Sequence, residues 1–166
     1  MRKAAVATAA GLPLVVAASL IAIAGCDSGS GSGSGGSKDS SKPDRAELSV
    51  SGSYLPKPAM ADMAAAYFTV KNDGGKADRL TSVSSPLSPD VTMHVTEGSQ
   101  MKQATSLDVP AGGKLTLSRG GNHLMLGKLG HLPKVGEKVE FTLHFAESKS
   151  IKVQVPVEPP TYRPED

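Results

Sequence analysis

A single cysteine, Cys26, is all the thiol chemistry in this chain of 166 residues. One thiol excludes an internal disulfide framework and any zinc or iron–sulfur site built on several cysteines. Tryptophan is absent, and Phe and Tyr number three each. That leaves too few rings for a base-stacking or carbohydrate-stacking platform. An excess of one charge sign is missing as well. The chain has 18 Lys and Arg against 16 Asp and Glu, but residues 1–25 hold Arg2 and Lys3 and no acid. Beyond residue 25 the balance is 16 against 16, so there is no basic footprint for nucleic acid. Enzyme constellations are also lacking. The folded part has no Gly-x-Ser-x-Gly elbow, no P-loop, no His-Glu-x-x-His and no cysteine nucleophile.

What is present begins with an address. Met1-Arg2-Lys3 precedes an apolar run from Ala4 to Ala24, broken at Gly11-Leu12-Pro13 and closed by Ile23-Ala24-Gly25-Cys26. The run is near spanning length, but the Gly/Pro break and the small residues before Cys26 fit a cleaved signal better than a membrane helix. The pattern resembles a bacterial lipoprotein signal, residues 1–25, with Cys26 as the lipidated residue. Ser28 to Ser41 is almost entirely Ser and Gly and has nothing to bury. Residues 26–45 are therefore read as lipidated cysteine plus flexible linker, which places the domain at the extracytoplasmic membrane face. Residues 158–166 are Pro-rich and acidic and read as a disordered tail.

Residues 46–157 read as one all-β domain. Leu48 and Val50, then Ala66, Phe68 and Val70, then Val91, Met93 and Val95, alternate with more polar neighbours. Val139, Phe141, Leu143 and Phe145 do the same, as do Ile151, Val153 and Val155. Short strands also fall at 80–84, 107–109, 115–117 and 123–126. Asn72-Asp73-Gly74-Gly75 and Pro110-Ala111-Gly112-Gly113 are turn chemistry. Residues 60–66 have helical propensity, but a strand follows them directly. Many short strands in one segment predict an antiparallel β-sandwich or barrel.

Candidate chemistry lies in His and Met. His123 and Met125 are two apart on a strand and share a face, while Leu124 and Leu126 face the core. His94 stands on the opposite face of its strand from Met93 and Val95. Met101 falls in the loop after His94. Thioethers are soft and neutral, need no deprotonation and favour Cu(I). Two His and two Met would suit a four-coordinate d¹⁰ ion. Core packing is the ordinary role of Met and surface exposure that of a strand His. Met93 is assigned to the core and His144 to solvent. His131 sits in a Gly130/Pro133 loop, and its role stays open. Met60 and Met63 are auxiliary thioether candidates.

At these residues the sequence resembles the periplasmic copper chaperone family, PCu(A)C, across residues 46–157. The match includes Ala65-Ala66-Tyr67-Phe68-Thr69-Val70-Lys71-Asn72 and Asp78-Arg79-Leu80-Thr81-Ser82-Val83-Ser84-Ser85-Pro86. It also includes Pro110 to Gly113, Met101 placed 22 positions before His123, and Gly120-Gly121-Asn122-His123-Leu124-Met125-Leu126. The sequence departs from the family in three ways. Val95 follows His94 where Glu is usual, the His94–Met101 spacing is short, and Ser99 replaces one Met. The resemblance implies a cupredoxin-like Greek-key β-sandwich that holds Cu(I) on His94, Met101, His123 and Met125. It further implies delivery, with a Sco-type protein, to the copper A subunit of cytochrome c oxidase. A blue-copper electron carrier would need a Cys in the domain, and none is there. The alternative is a metal-free lipoprotein β-sandwich that works as an interaction module.

Overall fold

The computed structural model describes residues 43–164. The expected signal segment, Cys26 and most of the Ser/Gly linker lie outside the described residues. Ten strands follow in order: β1 (Leu48–Pro56), β2 (Met63–Asn72), β3 (Asp78–Ser84), β4 (Asp90–Glu97), β5 (Gln100–Ala104), β6 (Leu107–Val109), β7 (Lys114–Leu117), β8 (His123–Gly127), β9 (Lys138–Phe145) and β10 (Ile151–Glu158). Among the described residues there is no helix. The strand order is β5-β4-β8-β2-β1-β10-β9-β3-β6, and β7 also pairs with β2.

The alternating apolar positions set the register. Along β2, Ala64, Ala66, Phe68, Val70 and Asn72 are buried. Along β9, Val139, Phe141, Leu143 and Phe145 are buried. Together with Leu55, Leu80, Leu124, Leu126, Val155 and Val157 the apolar residues of these strands form one core. Each fully buried large side chain contributes about 1.5–3 kcal/mol. Met93 joins this core, as its alternation predicts. Residues 63–66 are strand, not helix, because their backbone pairs with β8.

The sheet closes through β1. Its first half pairs antiparallel with β2, and its last residues pair parallel with β10 at Leu55↔Val157 and Pro56↔Glu158. A register shift between Ser51 and Tyr54, with Gly52 at φ 59°, turns the strand from one layer to the other. The expected antiparallel pattern therefore has one parallel exception. The polar Ser51-Gly52-Ser53 interrupts the alternation of Leu48 and Val50, and beyond it Tyr54 and Leu55 are buried.

Both domain boundaries move outward. Asn72 is fully buried at the end of β2. Its Oδ1 accepts from the N–H groups of Glu47 and Gly74 at 3.0 Å each, and its Nδ2 donates to Lys76 O at 2.8 Å. The N–H of Gly75 donates to Pro43 O at 2.8 Å. Residues 43–45 thus belong to the domain and not to the linker. Gly74 is required here, since a Cβ would collide with the Arg45 carbonyl and lie 2.6 Å from Glu47 N. At the other end, β10 runs through Glu158, and the Tyr162 ring packs edge-on against Tyr54 at 5.2 Å. Arg119 Nη2 donates to Pro160 O at 3.2 Å. The tail expected from residue 158 is instead held back as far as Tyr162, whose ring packs on Tyr54.

Candidate metal centre

Three neighbouring strands, β5, β4 and β8, carry the candidate ligands. The register pairs His94 of β4 with His123 of β8, Thr92 with Met125, and Thr96 with Met101 of β5. It pairs Ala65 of β2 with Met125. Residues directly opposite each other, and those two further along, share a sheet face. Met101, His94, His123 and Met125 therefore stand on one face, away from Met93, Leu124 and Leu126. The two imidazoles are stacked, with centroids 5.4 Å apart and planes 14° from parallel. Met101 lies diagonally from His94 toward Thr96, and Met125 lies diagonally toward Thr92. The thioethers flank the imidazole pair on opposite sides.

Hydrogen bonds orient both rings. His123 Nδ1–H donates to Gly121 O at 2.9 Å, which leaves Nε2 with its lone pair free. Gly121 O also accepts from the Thr96 hydroxyl at 3.0 Å. His94 Nε2 lies 3.0 Å from Thr92 Oγ1. Partial burial, with a smaller repulsion from His123, holds the His94 pKa below its ordinary value of 6.5. His94 is therefore neutral at pH 7, the state in which imidazole binds metals.

Beside this pair runs a groove of about 660 Å³. His123, Met125 and Met101 line it, together with Met60, Met63 and Arg119. His94 stacks on His123 but lies off the groove's lining. Met101 is on an edge strand and not in a loop. β5 escaped the sequence reading because Gln100-Met101-Lys102-Gln103 has no buried side to alternate with. His123 is more buried than its outward position suggested, at 8% exposed, because His94 stacks on it. His131 and His144 are elsewhere. His131 Nε2 meets Glu137 Oε1 at 2.7 Å, and His144 lies between Ser84 Oγ and Ser150 Oγ at 3.2 and 3.0 Å.

Tyr67 and Arg119 were not anticipated. The Arg119 guanidinium stands 6.0 Å from the Tyr67 ring centre, and both line the groove. Burial raises the Tyr67 pKa, partly opposed by Arg119. The signal for Tyr67 was legible: with Ala66 and Phe68 inward, Met63, Ala65 and Tyr67 must face the ligand side. Among the described residues no group of three or more His, Cys, Asp and Glu is placed to hold a metal.

The fold is the cupredoxin-like β-sandwich of PCuAC domains. The chain belongs to the family described as "Putative lipoprotein LpqE-like", whose model matches residues 48–157. A curated relative, "Putative lipoprotein Lxx21020" of Leifsonia xyli subsp. xyli (strain CTCB07), is 34% identical over 106 residues. That match spans 61% of this chain and 64% of the relative's own length. Among solved structures, the Cu(I) form of DR1885 from Deinococcus radiodurans is 27% identical with a TM-score of 0.57, covering 74% of this chain and 83% of that one. The copper-bound PCuAC domain from PmoF2 is 24% identical with a TM-score of 0.61, covering 68% and 93%. The apo PCuAC domain from PmoF1 is 24% identical with a TM-score of 0.64, covering 72% and 99%. These likenesses establish the cupredoxin-like sandwich as the fold.

Proposed function

We propose that this domain is an extracytoplasmic copper chaperone that carries Cu(I) on His94, Met101, His123 and Met125. The observation that carries the reading is the stacked His94–His123 pair with one thioether diagonally placed on either side. His123 offers an oriented Nε2, and His94 is held neutral at pH 7. Two imidazoles and two thioethers are uncharged and soft, a donor set that suits Cu(I) and rejects hard cations. Copper in the similar PmoF2 domain, and Cu(I) in DR1885, support the same cargo here. Met101 is largely exposed on an edge strand, which lets an acceptor's ligands replace its thioether first. The acceptor we infer from family resemblance is the copper A subunit of cytochrome c oxidase, with a Sco-type partner. Cys26 would tether the domain to the membrane and raise its local concentration near such partners.

The test is competition for Cu(I) against a chromophoric chelator. Met101→Leu and Met125→Leu keep apolar bulk and remove sulfur, and each should weaken Cu(I) binding. Equal affinity in wild type and both variants would overturn the ligand assignment. An absence of Cu(I) binding, with no change in melting temperature, would instead favour the metal-free interaction module.

A further inference from the structure

Two further thioethers line the same groove, and nothing so far accounts for them. Met63 pairs with Gly127 across β2 and β8, and Ala65 pairs with Met125. The four positions form a block with Met63 and Met125 at diagonal corners and the small residues Gly127 and Ala65 at the others. Diagonal neighbours in an antiparallel pair lie about 7–8 Å apart, within reach of two flexible Met side chains. The missing bulk at Gly127 and Ala65 leaves open space between the sulfurs. Met60, in the β1–β2 connection, lines the same groove.

Met60 and Met63 are 67% and 54% exposed. Their apolar surface is not what the fold buries, so their distinctive property here is the donor atom. Acidic side chains stand close by. A Cβ on Gly127 would sit 3.1 Å from Asp90 Oδ2, which places that carboxylate over the gap. Asp62 lines the groove next to Met63. Lys57 and Arg119 line the groove as well, so what would hold a monovalent soft cation here is the thioether donors, with Asp62 and Asp90 offsetting those two cations.

We propose that Met60, Met63 and Met125 form a second, thioether-only site for a soft d¹⁰ cation such as Cu(I). The donors then run in a row: Met101, the His94–His123 pair, Met125, Met63 and Met60. Met125 is shared, so an ion steps between the two sites by exchanging one ligand at a time, with no change of oxidation state. The sulfur-only end is the weaker end, where cargo arrives before it passes to the imidazole pair and leaves at Met101. This inference rests on the chaperone reading for the direction of traffic, but the site itself is tested separately.

The experiment uses the full chain with ¹³C-labelled methionine methyls, titrated with Ag(I) as a redox-inert soft cation. The first equivalent should shift the Met101 and Met125 methyls. The second should shift Met60 and Met63 and move Met125 again. Met60→Leu/Met63→Leu should keep the first step and lose the second, while retaining apolar character at the groove. Saturation at one equivalent, with Met60 and Met63 unmoved, overturns the second site. If Met101 stays unmoved throughout while Met60 and Met63 respond, the chaperone site fails and the thioether site stands. A double Leu variant that still takes up the second equivalent also overturns the proposal.

Discussion

Asp78 is the most exacting place to test how this domain is held together. It is 3% exposed at the start of β3. Its Oδ1 accepts from Arg79 N–H at 2.7 Å and Glu147 N–H at 3.0 Å, and its Oδ2 accepts from Ser148 N–H at 2.9 Å. One carboxylate thereby fastens the β9–β10 turn to the strand beside it. Asp78→Asn keeps the shape but replaces one oxygen with an amide donor. With the remaining oxygen serving Arg79 and Glu147, the amide faces the Ser148 N–H, donor against donor. An unsatisfied buried donor costs about 1–3 kcal/mol, and hydrogen bonds to a charged acceptor are worth roughly 1.5–3 kcal/mol against about 1 for neutral ones. Together these give a loss of about 3 kcal/mol. For a domain of this size, at about 4 °C per kcal/mol, that lowers Tm by about 12 °C.

The same residue sets a pH dependence. Burial pushes the Asp78 pKa up, but the bonds from Ser148, Arg79 and Glu147 together outweigh it, so the net shift is downward from 3.8. A depressed folded-state pKa gives stability that is present above the unfolded value. That stability is lost as pH falls through the folded one. The gap between wild type and Asp78→Asn should therefore be full at pH 7 and shrink as pH falls below about 4. Urea melts of both proteins across that range measure it. A gap under about 0.5 kcal/mol at pH 7, within the scatter of ordinary surface substitutions, would refute the reasoning. So would a gap that does not change with pH.

Two further predictions separate stability from metal binding. Met93 is 5% exposed and Met101 65% exposed. Met93→Ala should therefore lose about 2–5 kcal/mol in denaturant melts, while Met101→Ala stays within about 0.5 kcal/mol of wild type. Only Met101→Ala should weaken Cu(I) binding in chelator competition without a comparable loss of fold. Thr96→Val removes one of the two donors on the Gly121 carbonyl that orients His123, and should lower Cu(I) affinity by about tenfold. Unchanged affinity would show that this carbonyl does not position the ligand.

Much of this was legible in the chain, for a simple reason. Where one strand face is buried, alternation is compulsory, so β2, β4, β8, β9 and most of β10 could be read from their apolar residues. The same alternation placed His123 and Met125 together and sent Met93 inward. Features outside that rule were missed. β5 has no buried face, and so Met101 looked like part of a loop. The Ser51–Tyr54 irregularity hid the crossing of β1 between layers. Tyr162 anchors a tail whose composition argues for disorder. The stacking of His94 on His123 is a matter of register between β4 and β8, which no single strand's pattern reveals. Met63 was within reach of the argument, since its parity with Ala65 and Tyr67 puts it on the ligand face.

X-ray absorption at the copper edge of the Cu(I)-loaded protein tests the central claim most directly. The account predicts a mixed first shell of nitrogen and sulfur. The sulfur contribution should fall in Met101→Leu and in Met125→Leu, and the nitrogen contribution in His123→Ala. A first shell of nitrogen and oxygen alone, unchanged in the Met variants, would contradict it.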